Sequence, residues 1–129
     1  MSMSEATTQG VRVSVNAEFD RERSRPLRRE WFFRYTITIT NQTAEMVQLL
    51  SRHWIITHGD GRTEEVRGLG VVGQQPALGP GESFTYTSGA NLPTPTGRME
   101  GTYHMAAQSG QLFDVKIAAF TLEEAPTIH

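Results

Sequence analysis

The chain has 129 residues, six prolines, twelve glycines and no cysteine, with 37% apolar and 20% charged residues and a net charge of −2. That length fits one domain, and about two-thirds of its surface can be buried on folding, so a core forms without disulfides or a thiolate-bound metal. The near-neutral balance excludes a global pull towards nucleic acid or anionic membrane, although the basic residues are biased: of twelve, only Lys116 is not Arg.

Residues 1–10 are polar, with neither the basic region nor the apolar stretch of a signal peptide. Lacking an apolar face, they are expected to form a disordered N-terminal tail, and residues 123–129 a C-terminal one, around a domain at 11–122. No segment approaches the ~20 consecutive apolar residues that cross a bilayer. The expectation is therefore a cytoplasmic protein without membrane insertion.

From Val11 the period is two. Val11, Val13, Val15, Ala17 and Phe19 alternate with polar residues, the pattern of a half-buried strand. An Arg-rich connection follows, and then Trp31, Phe33, Tyr35, Ile37 and Ile39 alternate with Arg34, Thr36, Thr38 and Thr40. β-Branched and aromatic residues make this strand signal strong. Residues 46–57 read as a third strand whose weaker alternation fits burial on both faces or a bulge. Asp60-Gly61 is a tight-turn pair leading into a short strand over 63–66.

A glycine-rich segment without helical period comes next. The turn Leu78-Gly-Pro-Gly-Glu82 launches a strand over 83–88, and Leu92-Pro-Thr-Pro-Thr-Gly97 is a proline-punctuated turn. A strand ending near Gln108 and one over 112–122 are joined at Ser109-Gly110. Seven main strands with frequent turn signals predict an all-β fold, an antiparallel β-sandwich, with a closed barrel as the other topology this pattern allows.

Gly68-Leu-Gly70-Val-Val-Gly73 matches G-x-G-x-x-G, which in dinucleotide folds opens a helix. The prolines and glycines of residues 74–81 forbid that helix, so the dinucleotide reading fails. Two readings remain. The glycine amides, with Arg62 and Arg67 nearby, form a nest for a phosphate-bearing small ligand; alternatively, the glycines serve positive φ or close chain approach.

The Arg21–Arg29 connection carries Arg21, Arg23, Arg25, Arg28 and Arg29 interleaved with acidic residues, which suits either a solvated loop laced with ion pairs or a grip on an acidic partner. Phe32 points away from the core face, as edge cover or as an interaction anchor. His53 and His58 lie five apart, on opposite strand faces, and His129 is terminal, so no metal site is expected, and no cofactor. There is no cysteine nucleophile and no G-x-S-x-G elbow, and Asp114 falls on a solvated face.

Several blocks, in one order, resemble the ApaG family: Val11-Arg-Val-Ser-Val15, Phe33-Arg-Tyr-Thr-Ile37, Arg52-His-Trp54, Val66 to Gly73, Gln75 to Glu82, Phe84 to Gly89, Pro95-Thr-Gly97 and Met99 to Met105. The resemblance spans residues 11–122. It implies a fibronectin type III-like sandwich and a link to cobalt and magnesium resistance or efflux in bacteria. Related domains in eukaryotic F-box proteins and in a DNA polymerase delta-interacting protein look like protein-interaction modules.

The expected function is thus a non-enzymatic interaction module with a protein partner and no nucleic acid, a homodimer being compatible with open sheet edges. Gly68, Gly70, Gly73, Arg52, Trp54, Arg62 and Arg67 form one candidate surface, and the Arg21–Arg29 loop with Phe32 a second. The alternatives are a pyrophosphate or nucleotide binder and an enzyme acting on phosphorylated nucleotides.

Overall fold

The computed structural model describes residues 1–124. Their two-residue periodicity becomes nine strands: β1 (Ser2–Thr8), β2 (Val11–Phe19), β3 (Trp31–Asn41), β4 (Val47–His58), β5 (Thr63–Leu69), β6 (Ala77–Leu78), β7 (Ser83–Leu92), β8 (Thr96–Ala107) and β9 (Leu112–Glu123). All pair antiparallel, in one sheet of order β1-β2-β3-β7 and another of order β5-β4-β8-β9, with β6 extending the β4 edge beyond β5. This is the expected sandwich.

Register places the alternating apolar residues on the facing sides. Val13 sits opposite Ile39, Val15 opposite Ile37 and Ala17 opposite Tyr35, while Tyr103 pairs with Val115 in the other sheet. Val11, Val13, Phe33, Ile37, Ile39, Tyr103, Val115 and Ile117 lose all solvent contact. Each large side chain so buried contributes roughly 1.5–3 kcal/mol before chain entropy is counted. The outer face of β3 and β7 is a hydroxyl ladder, Thr36–Thr87, Thr38–Thr85 and Thr40–Ser83, at 2.9–3.0 Å. Asn41, fully buried, is satisfied by the carbonyls of Glu45 and Leu78 and by the Thr43 amide and hydroxyl.

The weaker alternation of residues 46–57 has a local cause. Leu49 pairs with Met105 but Ser51 with His104, so one extra residue bulges at Leu50. The other turn signals mark real turns: His58 and Arg62 close the Asp60-Gly61 loop, and the Glu82 amide donates to the Gly79 carbonyl at 3.0 Å across Pro80-Gly81.

Two boundaries move. Residues 1–10 are not a disordered tail, because Ser2–Thr8 pair with Val11–Ala17 as β1. The absence of an apolar face concealed this strand: its inward residues Ser2, Ser4, Ala6 and Thr8 are small and mostly hydroxylated, and they dock by hydrogen bonds. Ser4 Oγ donates to the Ala118 carbonyl at 2.8 Å, where β9 carries its own bulge, and the Lys116 and Thr121 amides donate to Thr8 and Ser2 hydroxyls at 3.1 Å. At the other end β9 continues to Glu123, and the Trp31 indole donates to Glu124 at 2.6 Å. The rest of the expected C-terminal tail, 125–129, lies outside the described residues. The seven expected strands are joined by β1 and the two-residue β6, and the short strand over 63–66 runs on to Leu69.

One side of the sandwich is therefore closed, where β1 meets β9. On the opposite side the last strands of the two sheets, β7 and β5, each have a partner on one edge only.

Candidate functional site

Between the β5 and β7 edges runs a cleft in two continuous parts of about 270 and 200 Å³. Tyr35, Arg52, Trp54 and Ser88 line both parts, so they occupy its middle. Strand alternation puts them there: Tyr35 and Ser88 are cross-strand partners on the inner face of one sheet, while Arg52 and Trp54 share the inner face of β4. Broader depressions of about 550 and 340 Å³ lie on the outer face of the β4-β8-β9 sheet, but there His104 is already paired with Asp114 at 2.7 Å.

The floor is aromatic. Tyr35 and Trp54 ring centroids are 5.6 Å apart, and Trp54 meets Phe120 edge-on at 6.0 Å. Below Arg52 the Tyr86 and Tyr103 hydroxyls share a buried hydrogen bond of 2.5 Å. Burial pushes all three tyrosines above the ordinary phenol range, with the Arg52 charge pulling each back. At neutral pH they are uncharged hydrogen-bonding groups.

Arg52 is held in place by the glycine segment. Its Nη1 donates to the Leu69 carbonyl at 3.0 Å and to the Gly70 carbonyl at 2.8 Å. The guanidinium lies flat on Gly68, where a Cβ would come within 2.9–3.0 Å of Nη1, Cζ and Nη2. Gly70 has φ 61°, and a Cβ there would stand 2.2 Å from the Gln74 carbonyl oxygen. The turn ends in a two-residue hairpin in which Val71 and Gln74 exchange amide bonds of 2.8 and 2.9 Å. Its central residues, Val72 and Gly73, have φ of 43° and 78°, positive at both as in a type I′ turn. A β-branched residue there is strained by roughly 1–3 kcal/mol, and Val72 stands half exposed on the cleft rim.

These glycines thus serve close approach and positive φ. The Gly70 amide donates to the Leu50 carbonyl at 2.9 Å and that of Val71 to Gln74, so these two successive amides are not presented as an anion nest. The Leu50 bulge frees the carbonyl that anchors it.

The first candidate surface divides. Arg52, Trp54, Gly68, Gly70 and Gly73 come together around the cleft. Arg62 does not join them: it sits in the turn at the far end of β5, paired with Asp60 at 2.8 Å. Arg67 lies on the outer face of β5, 3.9 Å from Glu65. Tyr35, Tyr86, Tyr103, Ser88, Leu69 and Val72 are the site residues that sequence reasoning did not single out. Inward alternation on two strands marked the first two, but only sheet order brings them to Arg52.

The Arg21–Arg29 loop is ordered by its backbone. Ser24 Oγ donates to the Asp20 carbonyl at 2.7 Å and accepts from the Phe32 amide at 2.9 Å, and Pro26–Arg28 form a single 3-10 turn closed by Arg29 at φ 58°. The expected lacing of ion pairs is absent among the described residues except at Arg23, 3.7 Å from Asp20; Arg21, Arg25, Arg28 and Arg29 have no carboxylate partner. The interleaved acids are drawn elsewhere, Glu18 and Asp20 to Arg34. Phe32 is edge cover, its ring lying on Gly89 with the Arg23 guanidinium 5.6 Å away.

The described histidines pair separately with Glu65, Glu64 and Asp114, and none lines the cleft. No group of three or more His, Asp or Glu that could hold a metal ion, and no helix long and apolar enough to cross a membrane, occurs among the described residues.

The family pattern described as the ApaG domain matches residues 21–107. Protein ApaG of Methylobacterium sp. (strain 4-46) is 54% identical over 121 residues, covering 94% of this chain and 93% of its own. Protein ApaG of Bordetella pertussis is 53% identical over 117 residues, covering 91% and 89%. A crystal structure of an ApaA protein from Bordetella pertussis superimposes with a TM-score of 0.88 at 52% identity, covering 91% of this chain and 95% of that one.

Proposed function

The chain belongs to the ApaG domain family, and we propose that it is a non-enzymatic interaction module that takes up an extended segment of a partner protein along the β5–β7 cleft. The observation that carries this reading is the pair of unpartnered strand edges flanking one aromatic-floored cleft. A free edge leaves backbone N–H and C=O groups for an added strand, and side-chain pockets beside it supply selectivity. The neutral tyrosines and pinned Arg52 suit recognition.

The pyrophosphate or nucleotide alternative is less supported, because the Gly70 and Val71 amides are spent within the chain. The resistance to cobalt and magnesium implied by the family resemblance is, on this reading, an indirect effect exerted through the bound partner in the cytoplasm.

A photo-reactive side chain in place of Leu69 on the cleft rim, and another in place of Met3 on β1, tests this in growing cells. Both positions are exposed, at 79% and 73%. Crosslinks from Leu69 to a defined protein, and none from Met3, are expected; equal yields from both, or none from Leu69, contradict the reading. A crosslink to a second copy of the chain identifies the partner as a homodimer.

A further inference from the structure

Arg52 is a charge without a counter-ion. No carboxylate among the described residues pairs with it: Glu64 lines one part of the same cleft but is hydrogen-bonded to His58 at 3.2 Å, and Glu65 lies 3.3 Å from His53. Its Nη1 is occupied by the Leu69 and Gly70 carbonyls, which fixes the plane of the guanidinium on Gly68. That leaves its remaining N–H donors for the cleft. A guanidinium partly withdrawn from water gains most from an anion that meets its flat donor edge.

We propose that Arg52 makes the middle of the β5–β7 cleft a subsite for an Asp or Glu side chain of the docked segment. This rests on the segment-binding reading above and gives it a chemical signature. A side chain is favoured over a chain terminus because Arg52 lines both parts of the cleft, so a segment lying along the edges continues past it in both directions. A carboxylate is favoured over a phosphate because one unpaired positive charge balances one negative charge, and the Gly70 amide beside the guanidinium is already spent on the Leu50 carbonyl. The cleft rim supplies the flanking selectivity: Leu69, Val66 and Val72 are exposed apolar residues, so apolar neighbours of the acidic residue rest there.

The test uses the full chain, labelled with nitrogen-15, and three probes: acetyl-Val-Glu-Val-amide, acetyl-Val-Gln-Val-amide, and acetyl-Val-Val-Val with a free C-terminal carboxylate. Inorganic phosphate is a fourth. The Glu peptide is expected to shift the Arg52 Nε–H and Leu69 amide signals saturably at millimolar concentration. The Gln and free-terminus peptides are expected to bind about tenfold more weakly or worse, as for loss of a charge-assisted hydrogen bond.

Arg52→Gln removes the preference for Glu over Gln. Because that change also frees the glycine segment, Gly68→Ala is the second variant: it keeps the charge, displaces the guanidinium and weakens the same preference. Equal binding of the Glu and Gln peptides, tighter binding of phosphate, or no saturable shift with the Glu peptide overturns the proposal. Leu69 crosslinks that persist unchanged in Arg52→Gln overturn the subsite while leaving segment binding intact. Glu-peptide binding in a protein that gives no Leu69 crosslinks does the reverse.

Discussion

The two sides of this sandwich end their sheets in opposite ways. Where β1 meets β9, hydroxyls of Ser2, Ser4 and Thr8 reach across to backbone groups of the facing strand, so part of the β9 edge is already taken. Where β5 faces β7, no such bonds join the strands among the described residues, and the space between them is floored by Trp54 and Tyr35 and holds the pinned guanidinium of Arg52. One fold thus contains a closed side that secures stability and an open side that keeps backbone groups and a charge for something else. The difference arises from side chains, since all the strands pair antiparallel.

Perturbing the two sides should separate stability from recognition. The largest effect is expected inside the closed side: Ile117→Ala, at a position without solvent contact, lowers unfolding free energy by about 2–5 kcal/mol in urea titrations and leaves Leu69 crosslinking unchanged. A stability loss with an equal loss of crosslinking would join what the account separates.

The tyrosines beneath the cleft give a pH signature. Tyr35, Tyr86 and Tyr103 ionise above the ordinary phenol range in the folded chain because burial disfavours the charged form. Below about pH 10 they are neutral in both states and add no pH dependence. Above it the unfolded chain releases protons that the folded chain retains, so stability falls by up to about 1.4 kcal/mol per pH unit for each tyrosine until the folded groups ionise in turn. Tyr86→Phe reduces that slope by one proton; an unchanged slope would mean that Tyr86 ionises freely in the folded state.

A smaller loss, about 0.5–1.5 kcal/mol, is expected for Ser4→Ala, which removes the bond to the Ala118 carbonyl. Hydrogen exchange then reports faster opening of β1 without change in β7. A last effect, of similar size, has the opposite sign. Val72→Gly relieves a positive φ in a β-branched residue and raises stability by about 1 kcal/mol. If Val72 also forms the apolar rim, the same variant weakens Leu69 crosslinking; a gain in stability with full crosslinking would limit its role to strain.

Much of the fold was legible because alternation is a local signal. Val11 to Phe19 and Trp31 to Ile39 state their inward faces residue by residue. β1 was hidden because its docking uses hydroxyls at Ser2, Ser4 and Thr8, which carry no hydrophobic period. The site was half legible. Glycine spacing drew attention to Gly68, Gly70 and Gly73, and the family blocks to Arg52 and Trp54, but Arg62 and Arg67 were assigned by nearness in sequence alone. Strand geometry sends Arg67 to the outer face and leaves Arg62 a strand's length away, at the other end of β5. Tyr86 and Ser88 enter the site only through sheet order, which no local pattern encodes.

The asymmetry of the two sides is tested most directly by amide hydrogen exchange, on the protein alone and with the partner recovered through Leu69. In the free protein the Lys116 and Thr121 amides are predicted to be protected, and the β5 and β7 amides that face the cleft unprotected. Adding the partner should protect β5 and β7 alone. Protection of both edges in the free protein, or a gain confined to β1 and β9, would contradict the assignment of the open side as the binding face.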